Sequence, residues 1–158
     1  MNVIIPHNIS NMIKAVLVKS GSREIGGILL GEHTKDNEFQ ICDITIQKTG
    51  GGIAFFERLV NHIIAPLKNF FDRTGHNYKR FNYLGEWHSH PNFSLFPSSV
   101  DHSTMQELIG DEKFGANFIV LMIMKLERGE LNGSVTIYQS NKEPCRGNLV
   151  FGDPQILG

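Results

Sequence analysis

Cysteine is almost missing from this chain. Only Cys42 and Cys145 occur in 158 residues, and neither belongs to a C-x-x-C pair. A disulfide framework is therefore excluded, and both thiols are expected buried or free in a reducing compartment. An excess of positive charge is missing too: Lys and Arg number 15 against 16 Asp and Glu, a formal net charge of −1. That balance offers no footing for nucleic acid, and Lys79-Arg80 reads as a solvated turn. No stretch approaches the roughly eighteen uninterrupted apolar residues a membrane span requires. The N-terminus has no basic segment leading into an apolar run, so no signal peptide and a cytoplasmic location are expected. Repeats and low-complexity linkers are lacking. Gly50-Gly51-Gly52 is not followed by G-x-x-x-x-G-K-S/T or G-x-G-x-x-G, so it reads as a flexible connection rather than a phosphate cradle.

What is present is enough for one domain over residues 1–158, with 41% apolar residues to build a core. Asn8 or Ser10 is expected to cap a first helix reaching Lys19, its inner face Ile9, Ile13, Val16 and Leu17. Glu24–Glu32 is almost continuously apolar, as in a strand buried on both faces. Phe39–Ile46 alternates with period two and reads as its neighbour. A helix is expected over Phe55–Phe71, its stripe of Phe55, Leu59, Ile63, Leu67, Phe70 and Phe71 being core packing, with Pro66 kinking it. Asn117–Lys125 and Ser134–Gln139 read as paired strands, and a short strand is expected at Asn148–Phe151. The order predicts an α/β sandwich with a mixed sheet.

The chemistry concentrates in His88-Ser89-His90-Pro91 and, seven residues after the second histidine, Ser98-Ser99-Val100-Asp101. Phe81–His88 is rich in aromatic residues and reads as a strand running towards His90. Residues two apart share a strand face, so His88 and His90 point one way and Trp87 and Ser89 the other. Pro91 ends the pairing. A loop then leads to Ser98, where a helix reaching about Leu108 places Asp101 in its first turn. Two imidazoles and a carboxylate form a three-ligand zinc site whose fourth position stays open for water, the catalytic rather than the structural arrangement. Ser98-x-x-Asp101 also has the form of a capping box, and the two readings are compatible. The histidines at 7, 33, 62, 76 and 102 lack ligand partners at useful spacing, although His102 adjoins a candidate ligand. Glu86 shares the face of His88 and His90, which makes it a candidate base, but lies about 6–7 Å back along the strand.

The segment Gly85-Glu86-Trp87-His88-Ser89-His90-Pro91 with Pro97-Ser98-Ser99-Val100-Asp101 resembles the JAMM signature of JAB/MPN metalloproteases. Glu24-Ile25-Gly26-Gly27-Ile28-Leu29-Leu30-Gly31 is similar to that family's upstream glutamate strand. The resemblance implies a curved mixed sheet flanked by helices. It further implies Zn2+ held by His88, His90 and Asp101, where zinc lowers the pKa of water to about 7. Glu24, rather than Glu86, is then the residue that takes the water's proton and delivers it to the leaving amine. Ser98 is the donor to the tetrahedral oxyanion.

Members of that family hydrolyse the amide bond after the C-terminus of ubiquitin or a ubiquitin-like protein, the tail lying extended beside an edge strand. Linkage-selective members carry two sizeable insertions. Here only the short stretch Asp111 to Ala116 occupies the second place, which speaks against selectivity for polyubiquitin. Compact size and the G-E-W-H-S-H-P form resemble small bacterial JAB proteins, including the deconjugases of antiphage CBASS operons that release a cGAS-like nucleotidyltransferase from its targets. The implied partner is thus the extended C-terminal tail of a conjugated protein. Two other functions stay open: trimming of a ubiquitin-like sulfur carrier, and a metal-free MPN scaffold. The scaffold is disfavoured because glutamate, histidines and aspartate are all present.

Overall fold

The computed structural model describes residues 1–47 and 64–153. Among them one mixed sheet of eight strands organises the chain. The strands are Asn2–Ile5 (β1), Gly26–Lys35 (β2), Glu38–Ile44 (β3), Phe81–Ser89 (β4), Ile119–Glu127 (β5), Glu130–Tyr138 (β6), Cys145–Arg146 (β7) and Asn148–Phe151 (β8). Their order across the sheet is β7-β6-β5-β4-β2-β3-β1-β8. Three helical stretches accompany them: His7–Ser20 (α1), residues 64–73 (α2) and Ser99–Gly110 (α3).

Alternation along the strands sends side chains into two layers. From β5, Val120, Met122 and Met124 join Ile9, Ile13 and Leu17 of α1 and Trp87 of β4 on one face. Ile119, Leu121 and Ile123 join Met105, Leu108 and Ile109 of α3 on the other. Phe70 of α2 packs there too, against Ile28 and Leu30 of β2. β2 and β5 are covered on both sides, which is why Gly26–Gly31 and Ile119–Met124 are buried without interruption. The expected α/β class with a mixed, helix-flanked sheet holds.

Several local expectations need correction. Helix α1 starts at His7 with Pro6 as its N-cap and no side-chain cap, instead of Asn8 or Ser10. Proline's fixed φ suits the entry to a helix, and the Ser10 hydroxyl turns back to the His7 carbonyl at 3.1 Å. The glutamate strand begins at Gly26, two residues after Glu24. The chain opens on an unforeseen strand, β1, which lies parallel to both β3 and β8. The triple glycine, His62 and residues 55–63 of the expected Phe55–Phe71 helix lie outside the described residues, whereas Pro66 lies within α2.

The Gly26-Gly27 pair is explained by close approach. A Cβ on Gly26 would strike the Trp87 carbonyl of β4, and one on Gly27 the Thr45 carbonyl that follows β3. Bare backbone at this point lets β2 press between its neighbours exactly where the site begins to form.

Candidate functional site

β4 and β2 run antiparallel and pair from Gly26↔His88 to Glu32↔Phe81, with one register shift after Leu29↔Gly85. The start of β2 therefore lies beside the end of β4, which brings Glu24 towards the two histidines across 64 residues of sequence. Pro91 stops the strand as expected, but only after the His90 N–H has bonded to the Met124 carbonyl of β5 at 3.0 Å.

The chain then reaches Ser98, the N-cap of α3. Its hydroxyl accepts from the Asp101 N–H at 3.1 Å, while the Ser98 N–H donates to Asp101 Oδ2 at 2.7 Å. This capping box fixes the Asp101 carboxylate between the imidazoles. Asp101 Oδ1 lies 3.5 Å from His88 Nε2, and Oδ2 lies 3.5 Å from His90 Nε2. The two Nε2 atoms are 3.0 Å apart. Tetrahedral zinc with bonds of about 2.0–2.1 Å separates its ligand atoms by about 3.3 Å, so these three donors fit one face of such a centre. The set of two imidazoles and one carboxylate is also the right chemistry. His90 is further prepared: its Nδ1–H donates to the Ser94 carbonyl at 2.8 Å, leaving the Nε2 lone pair free for a metal.

Electrostatics reinforce the grouping. Burial alone would raise the Asp101 pKa, yet His88, His90 and the Ser98 N–H hold it well below the usual carboxylate range. Asp101 in turn raises His90, against the effect of burial.

These ligands line a cleft of about 490 Å3 together with Glu24 and Ser98. All five residues singled out in the sequence thus face one space. Glu24 is half-buried and stands just ahead of β2. Ser98 accepts a backbone hydrogen bond, so its own hydroxyl hydrogen remains available to the cleft. The rival Glu86 lines the same cleft but is only 5% exposed, and its Oε1 meets no hydrogen-bond partner among the described residues. Burial pushes its carboxyl up to about 7.

Two features went unread in the sequence, and a third, at His102, was read only as adjoining a candidate ligand. The Ser94 carbonyl behind His90 is a backbone atom in an irregular loop and leaves no sequence signal. Phe93, Phe96 and Val100, 62%, 64% and 53% exposed, give the cleft an apolar rim; apolar residues flanking the motif were the available clue. His102 bonds through Nδ1 to the Tyr138 hydroxyl at 2.9 Å, tying α3 to β6 beside Asp101.

Other expectations resolve simply. His76 is exposed beside Asp72 and Tyr78, His33 stacks on Phe39, and Arg80 pairs with Glu32. Cys42 is a half-buried free thiol pushed up to about 11 by burial, and Cys145 is exposed and free. No helix among the described residues is long and apolar enough to cross a membrane. β4 is flanked on both sides, by β2 and β5, so an extended tail cannot pair with the histidine strand itself.

Residues 11–138 match the family described as prokaryotic homologs of the JAB domain. A Vibrio cholerae protein named CD-NTase/cGAS isopeptidase is 29% identical over 114 residues, covering 70% of each chain. A protein of the same name from Enterobacter hormaechei is 30% identical over 125 residues, 77% of this chain and 66% of that protein. The solution structure of a Desulfitobacterium hafniense protein shares the fold, with a TM-score of 0.62 at 14% identity over 96% of this chain and 94% of that one.

Proposed function

The chain belongs to the prokaryotic homologues of the JAB domain, and from that premise we propose that it is a zinc-dependent isopeptidase that reverses protein conjugation. Its substrate is the amide bond after the C-terminal tail of a cGAS-like nucleotidyltransferase or a ubiquitin-like protein, and its setting is bacterial antiphage defence. The observation that carries this reading is the placing of Glu24, Ser98 and the His88–His90–Asp101 donors around one cleft. The names of the two relatives support the choice of tail.

His88, His90 and Asp101 would hold the metal, which when bound would acidify a water and act as a Lewis acid. Glu24 would take a proton from the attacking water and pass it to the nitrogen of the leaving amine, a role typically worth about 10²–10⁴ in rate. Ser98 donates its hydroxyl hydrogen to the carbonyl oxygen as negative charge gathers there. The apolar rim of Phe93, Phe96 and Val100 shields the reacting bond from bulk water and offers a surface to the tail.

The test is cleavage of a fusion in which the C-terminal tail of a cGAS-like nucleotidyltransferase is joined by an amide bond to a reporter protein. Wild type loaded with zinc is expected to cut at the junction. Glu24→Ala should keep its zinc and fail to cut; His88→Ala should lose both. Full activity in Glu24→Ala removes the proton-transfer role, and an uncut fusion removes this choice of tail.

A further inference from the structure

Ser89, between the two histidines in sequence, points away from them and was assigned no function. Its surroundings are unusual. The last in-register pair of β2 and β4 is Gly26↔His88, and Gly26 directs its own N–H and C=O to Gln47. The next pair along, Ile25 and Ser89, is therefore of the type that exchanges two backbone hydrogen bonds across the strands. Only one of the two is made by backbone: the Ser89 N–H donates to the Ile25 carbonyl at 2.8 Å. The return bond, from the Ile25 N–H, goes to the Ser89 hydroxyl oxygen at 3.1 Å. A side chain takes the place of a main-chain carbonyl at the residue where the chain leaves the ladder.

We propose that Ser89 is the positioning residue for Glu24, its hydroxyl and N–H clamping the Ile25 peptide so that the preceding carboxylate faces the His88–His90–Asp101 centre. The clamp spans 64 residues of sequence. Both of its members are sealed from water, Ser89 at 1% and Ile25 at 2% exposure, so solvent cannot replace a lost partner. Ser89 and the two ligands share one strand end, so one short segment sets both the metal donors and the distance to the acid/base. That distance is demanding: a proton-transferring group must come within about 2.6–3.2 Å of its partner, and a misplacement of about 1 Å can cost about 100-fold. The inference rests on the proposed hydrolytic role of Glu24, and its test is chosen to survive without it.

Ser89→Ala, Ser89→Cys and Ser89→Thr are compared with wild type in two ways. In the first, steady-state cleavage of the reporter fusion is measured on zinc-loaded protein. Ser89→Ala is expected to lose about 10- to 100-fold in kcat at unchanged KM and zinc stoichiometry. Ser89→Thr keeps the oxygen and restores kcat; Ser89→Cys, which preserves the volume but is a poor acceptor, resembles Ser89→Ala. In the second, the Glu24 side-chain carboxyl carbon and the imidazoles are followed by NMR as Zn2+ is added. In wild type and Ser89→Thr both are expected to respond; in Ser89→Ala and Ser89→Cys only the imidazoles should. The proposal is overturned if the Glu24 signal of either variant answers zinc as in wild type, or if the variants lose zinc along with activity. If wild type does not cut the fusion, the substrate reading fails while the zinc titration still decides the clamp.

Discussion

At the level of single residues, one group in the cleft carries chemistry that the motif does not explain. Glu86 is shifted from its ordinary 4.5 to about 7 by burial. A raised carboxyl pKa means that the folded state holds the proton more tightly than the unfolded chain. Its stabilising effect is complete below about pH 4.5 and is lost as pH rises through about 7, a swing of about 3 kcal/mol. Zinc-free Glu86→Gln should therefore gain on wild type by about that amount between pH 5 and pH 8 in urea denaturation. A pH-independent difference would contradict the burial account. Ser98 calls for a different separation, since it serves both as helix cap and as candidate donor. Ser98→Ala should lose about 1 kcal/mol of stability and about 10²–10³ in kcat. Ser98→Gly, a tolerable cap without a hydroxyl, should recover most of the stability and none of the rate. The four residues from His88 to Asp101 were legible because they are close in sequence and their spacing fixes their geometry. Glu24 was legible only through a family pattern, because nothing local says that a glutamate before one strand meets the end of another.

At the level of elements, strands with strong periodicity were read well, and those stabilised from afar were not. β1 is four residues long, closed by Pro6, and gains its hydrogen bonds from β3 and β8, the latter from the opposite end of the described chain. No short window could reveal it. β4 was visible from its aromatic residues, yet its irregularity was not. Between Leu29↔Gly85 and Leu30↔Tyr83 one residue of β4 is extra, a bulge that bends the strand ahead of the histidines. Gly85 adjoins it at φ +154°, and a Cβ there would strike the backbone of Val120 on β5. Gly85→Ala is expected to destabilise by about 3 kcal/mol or more, through strain and overpacking together, and to weaken zinc binding by shifting His88. Urea denaturation with a zinc titration would show both. A stable variant with normal affinity would mean that β4 and β5 separate more easily than their close contact implies.

At the level of the whole molecule, the site is a consequence of sheet order. β4 between β2 and β5 places the start of β2, the end of β4 and the first turn of α3 at one edge of the layered core. Three of the five functional candidates are the proposed metal donors, and they come from α3 and the end of β4, so a bound ion would tie the two together. Folding and metal binding are then linked. An ion that binds only the folded chain adds about 2.7 kcal/mol at one hundred times its dissociation constant and about 4.1 at one thousand times. For a chain of this size that corresponds to roughly 5–10 °C in Tm at the lower ratio. Wild-type Tm should rise steadily with free Zn2+ and return on chelation. His88→Ala and Asp101→Ala should show no rise, because each leaves only two donors. Glu24→Ala should rise as wild type does if, as proposed, Glu24 acts on protons and does not hold the metal. That last comparison separates the two halves of the site without any substrate: a flattened response in Glu24→Ala would make the glutamate a ligand, and the assignment of acid/base would then pass to Glu86, the other glutamate lining the cleft.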